Sequence, residues 1–300
     1  MLARHSGELP HHRDPRLAAM PIRLIATDLD GTLLRGDLSV SPRTRRALDH
    51  ARSAGLHVVP VTARQPRGVR RIAEAAGFEG WALCGNGAHG VHLHTGEVLF
   101  EAHVQQDVQK AVAQALVTRV PGVLFVSVRQ GGEVFVAQEG YADLAHFEDH
   151  KREPAEMGAF ALADVLEQPS LKFIVRHPAL SPRELLAHVQ ALGLPGFAVT
   201  HSGAPFLEVL AEGVSKAWGL ERLCAHLGVR RDEVLAFGDA PNDAEMLAWA
   251  GRGVAMANAE PEAAAAADEH TLSNEEDGVA AVIEALLDPS PYGAVARASS

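Results

Sequence analysis

The sequence predicts an α/β fold in which a core of parallel strands is interrupted by an inserted unit of mixed α+β character. Three observations predict it. Short apolar runs alternate with helical stretches over residues 21–101 and again over 211–288. Such alternation implies crossover units and a parallel sheet. Between them, over about residues 102–210, hairpin signals mix with helices, which marks a separate packing unit. The 300 residues are 47% apolar, enough for one large or two ordinary domains with a buried core.

The elements follow in chain order. "IRLIATD" is a short branched run bounded by turn signals, so it reads as a buried strand. "SPRTRRALDHARSAG" reads as a helix capped at Ser41, with Pro42 in its first turn and Gly55 as its stop. "LHVVPVTAR" is a second strand, "RGVRRIAEAAG" a helix ending at Gly77, and "GWALCGNG" a third strand of the sheet running into a glycine-rich bend. In the insert, "VQQDVQKAVAQALVTRV" is helical. "GVLFVSVRQGGEVFVAQ" is a hairpin about Gly131 and Gly132. "SLKFIVRH" is a strand, "SPRELLAHVQALG" a helix, and "FAVTHSGAPFLEVL" a strand, turn and strand. The core pattern then resumes. "SKAWGLERLCAHLG" is a helix from Ser215 to Gly228, and "DEVLAFGD" is a strand ending in acid. "PNDAEMLAWAG" starts a helix at Pro241, "GVAMA" and "EHTLS" are short strands, and "NEEDGVAAVIEALL" is a closing helix. The "EAAAAADE" run is helix-forming.

Chemistry concentrates where strands end. Asp28 and Asp30 stand one residue apart at the end of the first strand, followed by Gly31. Ligands bind where the strands of a parallel sheet open. Adjacent carboxylates repel unless a cation or proton relieves them, and Mg²⁺ favours such hard oxygen ligands. Asp239 ends a second strand, with Asp243 four residues on, so two acid sets can converge on one metal. Thr62 and Arg64 end the strand "HVVPVT", where a hydroxyl can meet a phosphoryl oxygen. Lys216 follows Ser215 at a helix start, where amide donors and a cation together suit an anion.

"DLDGT", "VTAR", the lysine of "GVSK" and "GDAPND" occur in the order of the four motifs of haloacid-dehalogenase-like phosphohydrolases, and the sequence resembles that superfamily over roughly residues 22–287. "GVSKAWGL", "GNGA" and "SNEEDGVAAVIE" resemble its Cof-type branch. The resemblance implies a Rossmann-like core over 21–101 and 211–288, with a cap domain at 102–210. It implies Asp28 as nucleophile, Asp30 as general acid and base, and Asp28, the carbonyl of Asp30, and Asp239 as metal ligands, supported by Asp243. Thr62, Lys216 and Asn242 would hold the phosphoryl oxygens. Asn86 would line the substrate entrance, and Arg64 would meet substrate or remain a surface charge. Two small departures occur: Ala63 and Ala217 stand where the family commonly has glycine.

The implied activity is Mg²⁺-dependent hydrolysis of a small-molecule phosphate ester, a sugar phosphate or a phosphorylated cofactor or precursor, through an aspartyl-phosphate. The alternatives are a phosphomutase with the same site and a non-catalytic regulator that binds a phosphorylated ligand. The formal charge of −11 argues against general binding to nucleic acid or an anionic membrane. Cys84 and Cys224 lie in apolar runs and read as buried free thiols. His92 and His94 would share a strand face, but hairpin surface positions are the plainer reading than zinc. Residues 1–20 lack the apolar middle of a signal peptide and read as a disordered extension, with Met20 as a candidate natural start. Residues 289–300 read as a frayed tail, and the expected location is cytoplasmic.

Overall fold

The computed structural model describes residues 21–288. The N-terminal extension, the Met20 start and the tail at 289–300 lie outside the described residues. The chain opens with β1 (Leu24–Thr27), which is buried throughout. α1 (Pro42–Ser53) follows, its Ser41 side chain accepting the Thr44 amide as a cap. β2 (His57–Pro60) and α2 (Pro66–Ala76) complete the first crossovers, and Gly77 ends α2 in the left-handed conformation.

β3 (Trp81–Cys84) departs from the expected third parallel strand. It touches the second strand's continuation through a single parallel bridge, Val61 to Leu83. Its main partner is β4 (His89–His92), antiparallel, which pairs in turn with β5 (Val98–Glu101). Pro60 has no N–H to extend a ladder, and pairing with β3 begins only beyond it. The histidines of this flap separate. His89 is buried beside Glu101, His92 packs edge-on against Trp81, and His94 is exposed past the strand end.

The insert begins with α3 (Gln106–Arg119) and the hairpin of β6 (Leu124–Arg129) and β7 (Val134–Ala137). A segment with little sequence signal then forms two single-turn helices, α4 (Phe147–His150) and α5 (Leu162–Val165). β8 (Lys172–Arg176), α6 (Pro182–Gln190), β9 (Phe197–Thr200) and β10 (Leu207–Ala211) complete it. Its antiparallel sheet runs β7-β6-β8-β10-β9. α3 and α6 cover one face through Val112, Leu116, Leu185 and Val189, packed on Phe125, Phe173 and Val209. The other face carries Val126, Val128 and Ile174.

The core resumes with α7 (Lys216–Leu227), β11 (Val234–Gly238), a 3-10 turn at Pro241–Asp243 and α8 (Ala244–Trp249). β12 (Arg252–Ala255), α9 (Pro261–Ala266), β13 (Glu269–His270) and α10 (Gly278–Leu287) finish it. The closing helix starts at Gly278 rather than Asn274, because Asp277 takes a positive φ of 60° and pairs with Arg35 at 2.9 Å. The parallel sheet runs β13-β12-β11-β1-β2. Alternate residues of β1 point to opposite layers: Ile25 packs with α1, α2 and α10, while Leu24 and Ala26 pack with α7 and α8. Strand order reverses between β1 and β11, so their C-terminal ends flank the crevice where such sheets bind ligands.

Candidate active site

Asp28 follows β1 and Asp239 follows β11, on either side of that crevice, and the Asp28 amide donates to the Phe237 carbonyl at 3.0 Å. Lys216, at the start of α7, is 1% exposed. Its ammonium donates to Asp28 Oδ1 and Asp243 Oδ1, both at 2.6 Å. The other oxygen of Asp243 accepts the backbone amides of Asp239 and Ala240, each at 3.0 Å. Asp243 is therefore engaged at both oxygens and acts by fixing Lys216 and the Asp239 turn. Asp239 accepts from the Thr32 hydroxyl at 2.6 Å. Gly31 has φ +81°, and a Cβ there would collide with the Asp239 carboxylate. The glycine of "DLDG" is thus required by both conformation and space.

Asp28, Asp239 and Asp243 each offer an oxygen within 4.8 Å of the others. One ammonium, Lys216, bonds to Asp28 and Asp243, and Asp239 has none of its own. Burial pushes Asp28 well above the usual carboxylate range; Lys216 opposes this, and Asp243 and Asp239 add to it. Burial likewise lifts Asp239 to about 7, against the Thr32 hydrogen bond. Burial disfavours the Lys216 ammonium, but Asp243 and Asp28 outweigh it and raise its pKa. Such a surplus of buried negative charge binds either protons or a cation. The donor set, all hard oxygen, fits a divalent ion.

Asp30 differs. Arg64 grips it bidentately, Nε to Oδ2 at 2.6 Å and an Nη to Oδ1 at 2.5 Å. Burial alone would raise Asp30, but the Arg64 hydrogen bonds and charge prevail and hold it below the usual range. Thr62 is 1% exposed, and its hydroxyl accepts the Arg64 amide at 3.1 Å. Neither Ala63 nor Ala217 has a positive φ, so neither position needs glycine for conformation.

A cavity of about 330 Å³ opens above these groups, with Asp28, Asp30, Thr62, Arg64 and Asn242 on one side. The insert supplies the facing wall, including Val128, His150, Lys172, Ile174, Phe206 and Glu208. Asn86, expected at the substrate entrance, is instead buried behind the cavity at 1% exposure. Its Nδ2 donates to Glu208 Oε2 at 3.0 Å, and its Oδ1 accepts Asn242 Nδ2 at 2.9 Å. Glu208 also accepts from Lys172 Nζ at 2.5 Å, and Lys172 donates to the Ala63 carbonyl at 3.0 Å. A carboxylate only accepts, so Glu208 dictates that Asn86 donate to it, and Asn86 in turn dictates the orientation of Asn242.

Lys172, Glu208 and Thr32 were missed by motif reading. A signal existed for two of them: "SLKFIVRH" sets Lys172 and Arg176 in a wholly buried strand and "PFLEVL" sets Glu208 in a largely buried one, and buried charges must be paired. The cavity residues Glu148 to Arg152 had no such signal.

Comparison with known proteins agrees with the geometry. A family model described as haloacid dehalogenase-like hydrolase matches residues 25–283. YxeH of Bacillus subtilis is 32% identical over 277 residues, covering 88% of this chain and 98% of its own. HMP-PP phosphatase of Cronobacter sakazakii is 30% identical, covering 80% of this chain and 86% of its own. A haloacid dehalogenase-like hydrolase from Bacteroides thetaiotaomicron superposes with TM-score 0.70 at 29% identity, over 88% of this chain and 98% of that one. The chain belongs to the haloacid dehalogenase-like hydrolase family. Within it, the chain is a phosphatase of the Cof type, a phosphoric monoester hydrolase. Among the described residues, no helix is long and apolar enough to cross a membrane.

Proposed function

We propose that the protein hydrolyses small phosphate monoesters through a phosphorylated Asp28, with Mg²⁺ as its metal. The observation that carries this reading is the convergence of Asp239, Asp243 and Lys216 on Asp28, which itself lines the cavity. Asp28 and Asp239, with the Asp30 carbonyl, would hold the ion, and Asp243 would support them from behind. Bound there, Mg²⁺ supplies charge neutralisation for the phosphoryl oxygens.

In the first step an Asp28 oxygen attacks phosphorus in line, and the bond to the leaving oxygen breaks. Lys216, Thr62 and Asn242 hold the other phosphoryl oxygens. The leaving oxygen takes a proton from Asp30. In the second step Asp30 takes a proton from water, whose oxygen attacks phosphorus, releasing phosphate and restoring Asp28. The pairing of Asp30 with Arg64 suits this second, basic role. For the first role the pair must open. An incoming phosphate draws Arg64 away and removes the interaction that keeps Asp30 ionised. Residues 102–210 serve as the cap over a core of 21–101 and 211–288, excluding water until the acyl phosphate is formed. We take the cytoplasm as its location.

Phosphate release from a panel of monoesters tests the reading. It predicts turnover with Mg²⁺, loss with EDTA, and loss in Asp28→Asn. Phosphate transferred back to substrate without net release would instead indicate a mutase. Tight binding of esters without turnover would indicate a regulator.

A further inference from the structure

We infer that the cap wall facing Asp28 is a subsite for a planar aromatic ring, so that the substrates are phosphate esters of ring-bearing alcohols. This deepens, and rests on, the phosphatase reading. The wall contains Phe135, His150 and Phe206, all lining the same cavity as Asp28 and Thr62. The His150 ring stacks on Phe206 with centroids 4.5 Å apart and planes 15° from parallel. Phe135 meets His150 edge-on at 5.0 Å. His150 Nε2 lies 2.9 Å from the Tyr141 hydroxyl, and Tyr141 is fully buried. Stack, edge and hydrogen bond fix the imidazole plane from three sides. Burial, together with Lys172, Arg176 and Arg152, favours its uncharged form. A flat, neutral, immobilised surface offers stacking without an ordering cost.

The charged groups of the same wall offer little to a polyol, and the unpartnered polar atoms of the cavity, the Gln65 amide and Asn242 Oδ1, lie on the core side. A sugar needs free donors and acceptors around its hydroxyls. Here Lys172 pairs with Glu208, Lys151 with Glu148, and Asp149 with Arg176. Arg152 is the exception. Among the described residues no carboxylate lies within ion-pair distance of it, and its guanidinium donates only to the carbonyls of Gly132 and Glu133, at 3.5 and 3.0 Å. It lies 5.4 Å from the Phe135 ring centroid. With five N–H groups, it has donors left for an acceptor or an acidic substituent on the ring. The cavity, about 330 Å³, is at the lower end of small-molecule sites, sized for one ring system and its phosphoryl group.

The test uses the full chain. Calorimetry on Asp28→Asn measures binding of benzyl phosphate, carboxybenzyl phosphate and pyridoxal 5′-phosphate against glucose 6-phosphate and glycerol phosphate. Phosphate release by the unmodified chain with Mg²⁺ is measured for the same esters. The expected result is a kcat/KM at least about tenfold higher for the ring esters. His150→Ala lowers that preference about three- to tenfold, while His150→Phe, which keeps a ring, restores it. Phe135→Leu, half-buried and less exposed to misfolding, lowers it too. Arg152→Ala lowers kcat/KM more for carboxybenzyl than for benzyl phosphate. Equal or better turnover of the sugar phosphates overturns the inference, as does His150→Ala lowering both classes by one factor. Absence of turnover with ring-selective binding retained overturns the phosphatase reading and leaves the ring subsite standing. Absence of both overturns both.

Discussion

Lys172 and Glu208 provide the sharpest test of how cap and core communicate. Their side chains are 7% and 1% exposed, and they lie 2.5 Å apart. Glu208 holds Asn86, and Lys172 holds the Ala63 carbonyl. Lys172→Met leaves a buried carboxylate with one neutral donor. Breaking a buried pair in this way costs about 3–5 kcal/mol. At roughly 2–4 °C per kcal/mol for a chain of this size, Tm falls by about 6–20 °C. Lys172→Met with Glu208→Leu removes both charges, and apolar replacement of a whole buried pair is often neutral. Stability therefore returns to within about 1–2 kcal/mol of the parent. Activity does not return, because Asn86 loses the acceptor that orients it and, through it, Asn242. A hydrogen bond to a charged group is worth about 1.5–3 kcal/mol, so kcat/KM stays roughly ten- to hundredfold low. Thermal melts and phosphate-release kinetics on the three proteins measure both quantities. A double variant with parental kcat/KM refutes the orienting role. Lys172→Met with parental Tm refutes the buried-pair reasoning.

Other outcomes follow from single residues. Lys216→Met leaves Asp28 and Asp243 without their shared ammonium, so kcat falls at least about a hundredfold and added Mg²⁺ raises Tm more than in the parent, as a melt with and without metal will show. Gly31→Ala forces a positive φ on alanine, costing about 1–2 kcal/mol, and displaces Asp239, which the new Cβ would strike; a weakened apparent affinity for Mg²⁺ in activity titrations is the expected readout. Burial pushes the thiols of Cys84 and Cys224 up to about 12. Both are therefore protonated below that value and resist iodoacetamide at pH 8 in the native chain, and both react once it is denatured.

The legibility of the sequence follows the range of each interaction. Helices with local punctuation were readable: Ser41 and Pro42 start α1, Gly77 ends α2, and Ser215 and Gly228 bracket α7. Strands buried on both faces, such as β1 and β11, were readable as continuous apolar runs. β3 misled because four apolar residues look alike whether their partner is parallel or antiparallel. Residues 141–166 were silent because helices of one turn show no period. Asp28, Asp30, Asp239, Asp243 and Lys216, which the structure brings to one crevice, could be singled out because they sit in short motifs. The placement of Asn86 behind Asn242 was not, because it depends on Glu208, 122 residues away. The cap wall is built from side chains brought together only by the antiparallel sheet, and nothing local in "EDHKR" or "APF" announces a stacked pair.

Every other role proposed in the site depends on Asp28 carrying the phosphoryl group. Rapid quenching of turnover with borohydride reduces an aspartyl-phosphate to homoserine, and peptide mass spectrometry locates it. Homoserine is expected at position 28, dependent on both ester and Mg²⁺. Steady release of phosphate with Asp28 unmodified, or with the label on another residue, would contradict it.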